Sequence, residues 1–338
     1  MGLNADRAFI AVDGGNSKTD AVAATADGRV HAYVRTGTSS PHRLGYREAV
    51  DLLGKLIDTV RAEARWGSEV PLARVDALLA GVDLPVEVER LNADARSRGW
   101  ADEVVLDNDV FALLRAGTSD RNAVAVICGA GMNSVGRNAS DEWSRFPALG
   151  PTTGDWGGGE DLGDAVLFHA ARAEDGRGPA TALCAAVRAH FGTGTAEDAA
   201  IGLHFGRFPR DMVHGLVPRL FAAADAGDAV AESVVERQAA EITAMVRVAA
   251  RRLGLGKGPF TIVGGGGVLA AAPAALHRHL APILEAEFPL ASYTGLDRPP
   301  VLGAAWTALD ALTGATDTAA HRRLAAGIAA MEPVRVAY

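Results

Sequence analysis

Two stretches of this chain share one layout, and that repetition constrains the fold more than any other feature. The first runs Phe9-Ile-Ala-Val-Asp13-Gly-Gly-Asn-Ser-Lys-Thr19-Asp and continues as Ala21-Val-Ala-Ala24. The second runs Ala123-Val-Ala-Val-Ile-Cys128-Gly-Ala-Gly-Met-Asn133-Ser-Val-Gly136. In each, an apolar strand meets a bend of small residues, passes Asn and Ser, and enters another strand. A repeat of this kind about one domain apart reads as an internal duplication, two lobes with a glycine loop in each. The length, 338 residues, suits two domains.

The flanking segments fill in an α/β architecture. Ala26-Asp-Gly28 reads as a turn and Val30 to Thr36 as the third strand of a meander. Between Tyr46 and Trp66, Ala49, Leu52, Leu53, Leu56, Ile57, Val60 and Ala64 recur at the three-four spacing of an amphipathic helix. A strand (Val75 to Val82), a helix (Val86 to Arg98) and a strand (Glu103 to Leu106) follow, an alternation that implies a largely parallel sheet flanked by helices. In the second half, helices around Asp164 to Ala173, Ala180 to His190 and Asp228 to Leu253 surround a strand at Phe260 to Val263. A last helix covers Val301 to Leu312. The pattern breaks near Ala116 to Asn122, so we divide the chain into a first lobe, 1–118, a second, 119–314, and a tail, 315–338, with the last helix returning toward the first lobe.

Composition excludes several function classes. A formal charge of −8 argues against nucleic acid, whose partners need a basic face. Two cysteines, Cys128 and Cys184, make neither a disulfide scaffold nor a Cys-rich zinc site. The start carries no leader, and no stretch approaches the length of a membrane span, so we expect a cytoplasmic protein without membrane contact.

The loops carry the chemistry. Gly14 and Gly15 allow a tight bend whose backbone N–H groups converge on a phosphate, with Asn16, hydroxyls from Ser17 and Thr19, and a charge from Lys18. Asp13 suits a hydrated Mg²⁺. The Gly-x-x-x-x-Gly-Lys-Ser/Thr spacing is absent, so this is no P-loop, and a solvated hairpin turn is the plainer alternative. The second loop, Gly129, Ala130, Gly131, Met132 and Asn133, makes a matching phosphate jaw. Gly264, Gly265, Gly266 and Gly267 follow a strand, where open α/β sheets place ligands. Asp109, in Asp107-Asn108-Asp109 after another strand, is the candidate general base for phosphoryl transfer, although such residues also form turns. Asp155, in Gly154-Asp-Trp-Gly-Gly-Gly159, can hold sugar hydroxyls, and a single Trp such as Trp156 is more often core than a stacking face.

At these residues the chain resembles the BadF/BadG/BcrA/BcrD ATPase family, and within it the N-acetylglucosamine kinase-like sugar kinases of the actin/hexokinase superfamily. The resemblance covers Phe9 to about Leu312. Asp13 to Thr19 match the family's Asp-Gly-Gly-x-Thr/Ser-Lys-Thr, and Asn108-Asp109-Val110 its Asn-Asp-Ala with Val110 where Ala is usual. Gly129-Ala130-Gly131-Met132 match Gly-Thr-Gly-Ser with two substitutions, Asn133 standing in for the polar group, and Gly154 to Gly159 match Gly-Asp-Glu-Gly-Ser-Gly with Trp156 in place of Glu. Gly264 to Gly267 resemble the adenosine loop, and Gly303 to Leu312 the terminal Gly-Ala-Ala helix.

The resemblance implies a two-lobed actin-like ATPase (ribonuclease H-like) fold with a duplicated mixed-sheet core and an ATP cleft between lobes. It also implies a homodimer with ATP and Mg²⁺ as cofactors and a small-molecule amino sugar, N-acetylglucosamine or glucosamine, phosphorylated at its 6-hydroxyl. Asp109 would be the base, with Asn108 and Asp155 orienting the sugar. The acceptor side departs from the pattern. Pro41 stands near the place of an expected Asn, and Ala148-Leu149-Gly150 stands in place of Gly-Trp-Gly, which leaves Ser40, His42, Gly150, Thr153 and Gly154 as substitute contacts. Two other readings stay open: an ATPase that activates a dehydratase or reductase through a shared iron–sulfur cluster, and a catalytically silent sugar or nucleotide sensor.

Overall fold

The computed structural model describes residues 7–271, 273–316 and 318–338. The chain divides into two compact units, one running to Arg121 and resuming over Leu296–Tyr338, the other Asn122–Gly295. The division therefore differs from the sequence-based one: residues 296–314 pack with the first unit, and so does the stretch read as a tail.

The first unit is built on a six-stranded sheet. In chain order its strands are β1 (Ala8–Gly14), β2 (Thr19–Thr25), β3 (Val30–Thr36), β4 (Leu72–Leu79) and β5 (Glu103–Asn108), and Val334–Arg335, numbered β11 below, adds an edge. The spatial order is β11-β3-β2-β1-β4-β5, antiparallel through the first meander and parallel from β1 to β4 to β5. Every residue of β1 is buried, as befits a central apolar strand covered on both faces. Alternation then assigns its side chains. Ile10 and Val12 join the cluster made with Leu53, Leu56, Ile57, Val60 and Leu91, from helices Tyr46–Glu63 and Pro85–Ser97. Phe9 and Ala11 join Leu302, Ala305, Leu309, Leu324 and Ile328, from helices Pro300–Thr313 and Ala319–Ala329.

The second unit repeats that strand plan. Its strands are β6 (Ala123–Cys128), β7 (Met132–Arg137), β8 (Trp143–Arg145), β9 (Phe260–Gly265) and β10 (Ala291–Gly295), in the order β10-β9-β6-β7-β8. As in the first unit, the first strand pairs antiparallel with the second and parallel with the fourth, which pairs parallel with the fifth. One apolar cluster fills this unit, joining Val124, Val126 and Ile262 to helices that include Gly159–Glu174, Leu183–Phe191 and Ala229–Arg252. Among the described residues, no helix is long and apolar enough to cross a membrane.

Several boundaries moved. The strand expected at Val75 to Val82 is Leu72–Leu79, because Gly81 turns the chain with φ +81° and frees 80–84 as a loop. The helix expected to start near Asp164 starts at Gly159. Gly264 and Gly265, read as loop, extend β9, where the Tyr293 ring of the neighbouring strand covers Gly264; a Cβ there would lie 2.3 Å from the Tyr293 hydroxyl.

Candidate active site

In the first unit the site grows from the carboxyl ends of β1 and β5 and from the loops after β3 and β4. Asp13 is the next-to-last residue of β1 and faces Asp20 across the hairpin. Asp20 is fully buried and takes both Arg35 Nε (2.6 Å) and Nη2 (2.9 Å), with Lys18 Nζ at 3.3 Å. Burial holds the Asp13 carboxyl well above the ordinary carboxylate range, and the Asp109 and Asp20 charges add to it against the pull of Lys18 and Arg35. Gly15 N–H donates to Lys18 O (2.8 Å) to close the turn, and Asn16, Ser17 and Lys18 form its tip, the last two exposed. Gly14 lies against Ser39 and Leu79, so a side chain there would collide. Thr19 is different from the expectation of a loop-tip hydroxyl. It is fully buried in β2, and its Oγ1 donates to Ser39 Oγ at 2.9 Å.

Asn108 ends β5 and Asp109 caps helix Val110–Gly117. The Asn108 side chain donates to Asp83 Oδ1 (2.8 Å) and Val82 O (3.3 Å) and accepts from Val110 N–H (3.0 Å), which pins the strand-to-helix turn. Burial pushes the Asp109 carboxyl up to about 7, the Asp83 charge adding to the rise and two backbone hydrogen bonds opposing it. Asp109 thus carries a pKa suited to accepting a proton at neutral pH. Beside it, Glu87 ties three segments together. Its Oε2 accepts from the amides of Asp83 (2.8 Å) and Leu84 (2.9 Å), and its Oε1 from Tyr46 Oη (2.7 Å), with His42 Nε2 at 3.2 Å. Burial alone would raise Glu87, but those four hydrogen bonds outweigh it and hold the carboxyl below its ordinary range. Ser40 and His42 lie next to Gly81 and so belong to this group.

In the second unit three glycine segments converge at the carboxyl ends of β6 and β9. Gly129 and Ala130 offer their carbonyls to the amides of Gly159 (2.7 Å) and Glu160 (3.0 Å), docking this loop on the start of helix Gly159–Glu174. A Cβ on Gly158 would lie 2.4 Å from Gly131 Cα, and one on Gly266 would lie 2.5 Å from the Cys128 carbonyl, so glycine is required for this approach. Gly267 opens the short helix that follows. Met132 is buried, its sulfur beside Gly157, and Asn133 Oδ1 caps the amide of Ser134 (2.7 Å). Gly150 and Thr153 bound a 3₁₀ turn that Gly154 closes. Within it, Thr153 Oγ1 donates to Asp155 Oδ2 at 2.6 Å, and the amide N–H of the buried Asp155 donates to Gly150 O (3.1 Å). Trp156 packs against the core under Arg237, whose guanidinium carbon is 3.8 Å from the ring centre.

The sequence reasoning missed Asp83, Glu87, Asp161 and Gln238. Asp161 accepts from the amides of Gly157 and Gly158, and Gln238 Nε2 reaches Gly157 O at 3.0 Å, so both brace the glycine turn. A carboxylate three residues into a helix is a readable capping signal, which Glu87 and Asp161 both carry. Nothing local marks Gln238.

Known proteins resemble this chain over most of its length. An N-acetyl-D-glucosamine kinase of Dictyostelium discoideum is 26 % identical over 267 residues, 74 % of this chain and 81 % of that protein. An N-acetylmuramic acid/N-acetylglucosamine kinase of Clostridium acetobutylicum is 24 % identical over 261 residues, 77 % of this chain and 85 % of that protein. The crystal structure of a protein assigned as an N-acetylglucosamine kinase in Chromobacterium violaceum superposes with a TM-score of 0.70, covering 91 % of this chain and 99 % of that one at 19 % identity. That likeness speaks for the fold alone, which is the actin-like fold of sugar kinases. The model of one family matches residues 10–305, from β1 to helix Pro300–Thr313, and the chain belongs to the BadF/BadG/BcrA/BcrD ATPase family.

Proposed function

We propose that this protein is an ATP-dependent sugar kinase that phosphorylates an amino sugar, N-acetylglucosamine or glucosamine, at the 6-hydroxyl. The observation that carries the reading is Asp109, a carboxyl raised to about 7 and fixed at the helix start by the Asn108 clamp. Phosphoryl transfer needs positioning, charge neutralisation and a carboxylate to accept the alcohol's proton. In our reading Asp109 takes the proton of the primary hydroxyl while that oxygen attacks the γ-phosphorus in line; the bond to the β–γ bridging oxygen breaks and ADP leaves. The turn at Gly14 to Lys18 and the loop at Gly129 to Asn133 would hold phosphates, and Gly264 to Gly267 would border the adenosine. Asn108 and Asp155 would orient the sugar, with Ser40, His42, Gly150, Thr153 and Gly154 as further contacts.

The donor set around Asp13 fits a divalent cation. Its oxygen ligand is hard, and the crowding of Asp13, Asp20 and Asp109 leaves negative charge that a cation relieves. Asp13 would hold Mg²⁺ through water, and the ion would neutralise phosphate charge. The relatives named as sugar kinases support this reading over the activator one. So does Cys128, which is buried at the end of β6 with its thiol pushed up to about 12 by burial, a poor source of thiolate for a shared cluster.

The test is ADP release over glucosamine, N-acetylglucosamine, N-acetylmuramic acid, N-acetylmannosamine and glucose, with the product's phosphate located by NMR. One amino sugar should raise ADP release far above the rate with water alone. A rate that no sugar changes would end the kinase proposal.

A further inference from the structure

The second unit holds a cavity of about 420 Å³ between helix Ala274–Glu287 and strands β9 and β10, and no residue of the glycine loops lines it. Its volume lies in the range of small-molecule sites. The spacing of residues makes it. His277, Ala281 and Glu285 recur at intervals of four and form one row along the helix. Ala291 and Tyr293 alternate onto one face of β10. Each row carries an alanine, Ala281 and Ala291, where a longer side chain would close the gap. The floor is apolar, with Leu280, Leu284 and Phe288 buried, and the rings of His277 and Tyr293 meet edge to face at one end, 6.2 Å between centres. Ala281 and Glu285 are exposed, so the cavity opens to solvent along the helix. Among the described residues, the Glu285 carboxylate has no hydrogen bond or ion pair. Its charged neighbours are engaged elsewhere: Arg278 holds Asp225 and Glu232, and Glu287 pairs with Arg247. The negative charge at the mouth is therefore that of Glu285.

We propose that this cavity is a second ligand site, which takes a small aromatic amine with its ring between Ala281 and Ala291 and its ammonium at Glu285. The ring suits the floor, because Leu280, Leu284 and Phe288 reward apolar surface and offer a sugar's hydroxyls nothing to bond. The ammonium suits the mouth, where it meets an open carboxylate, and an acid on the same ring would be repelled there. Spacing sets the length of the ligand. Ala281 and Glu285 lie about 6 Å apart along the helix axis, the reach of a two-carbon amine arm. Such a ligand would bind whether or not the protein is a kinase.

Calorimetric titration of the full chain with tryptamine, 3-methylindole and indole-3-acetate tests this, since the three probes share one ring and differ in charge. Tryptamine should bind with a Kd of about 0.1–1 mM, the range for a ligand of about a dozen non-hydrogen atoms. 3-Methylindole should bind roughly 2- to 5-fold more weakly, the worth of an exposed charge pair, and indole-3-acetate more weakly still. Glu285→Gln should abolish that ranking and leave the affinity for 3-methylindole unmoved. Ala281→Leu and Ala291→Leu should each weaken tryptamine about tenfold or more by filling the space. Ala281 is exposed, so Ala281→Leu should fold as the wild type does, with an unchanged circular dichroism spectrum. Wild-type protein that binds no tryptamine, or binds the three probes equally, overturns the proposal. So does an unchanged tryptamine affinity in folded Ala281→Leu and Ala291→Leu, which would put the amine elsewhere. A dimer in light scattering that Ala281→Leu breaks would make the cavity a contact between copies, and that also overturns it.

Discussion

A carboxyl group placed as Asp109 is, half-buried just past the end of β5 with Asp83 nearby, holds its proton to about pH 7, whereas in the unfolded chain it releases it near 3.9. The folded state thus binds a proton that the unfolded state does not throughout that interval. Its contribution to stability is fullest below about pH 4 and is lost as pH rises through 7. Asparagine stays neutral, so Asp109→Asn should melt several degrees above wild type at pH 8 and show no advantage at pH 4. Activity should move the opposite way. Transfer by the wild type should rise through a limb near pH 7, and Asp109→Asn should be roughly 10²–10⁴-fold slower at every pH. Thermal melts and initial rates at the two pH values check both arms; a variant less stable than wild type at pH 8 would refute the buried-charge account. Asp13, Asn108 and Asp109 can be picked from the sequence because strand ends collect chemistry in α/β sheets. Ser40, Gly81, Asp83 and Glu87 cannot, since their meaning depends on three loops meeting, and only folding brings residues 40, 81 and 87 together.

At the scale of elements, helix Val110–Gly117 aims Asp109, and helix Pro300–Thr313 supports it through an unusually close approach. A Cβ on Gly303 would lie 1.8 Å from the Ala112 carbonyl oxygen. Arg115 and Asp310 add an ion pair between the same two helices at 2.7 Å. Gly303→Ala should therefore cost about 1–3 kcal/mol in chemical denaturation, the usual range for overpacking. It should also lower kcat while leaving the KM for ATP in place; an undiminished kcat would show that this contact does not set the base. The terminal Gly-Ala-Ala stretch is visible in the sequence, but its role is not, because Ala112 is nearly two hundred positions away. Long periodic helices and the β1–β3 meander are legible for the opposite reason, since their apolar spacing is local. The strand starting at Leu72 was displaced because its apolar run continues past the point where Gly81 bends the backbone. Helix Val110–Gly117 escaped notice because it is short and buried through most of its length, which leaves no polar stripe to reveal a period.

For the whole molecule, the shared strand order of the two sheets gives physical form to the duplication read from the two glycine hairpins. The duplication does not reveal where the copies end, because the first unit is discontinuous in sequence. Its last segment is no appendage. Leu324 and Ile328 are buried beside Phe9, Val30 and Tyr33, β11 pairs with β3, and His321 Nε2 lies 2.7 Å from Asp310. Ending the chain at Gly314 should thus remove at least about 3 kcal/mol of apolar burial from those two side chains alone. The truncated protein should melt well below the full chain or fail to stay in solution; equal melting temperatures would show the segment dispensable. The same discontinuity has a bearing on synthesis. A ribosome releases Asn122–Gly295 as one uninterrupted piece, while the sheet begun at Ala8 waits, one greasy side bare, for a cover that is translated only after that piece. During that delay the nascent N-terminal half is the part of the polypeptide most in need of a chaperone.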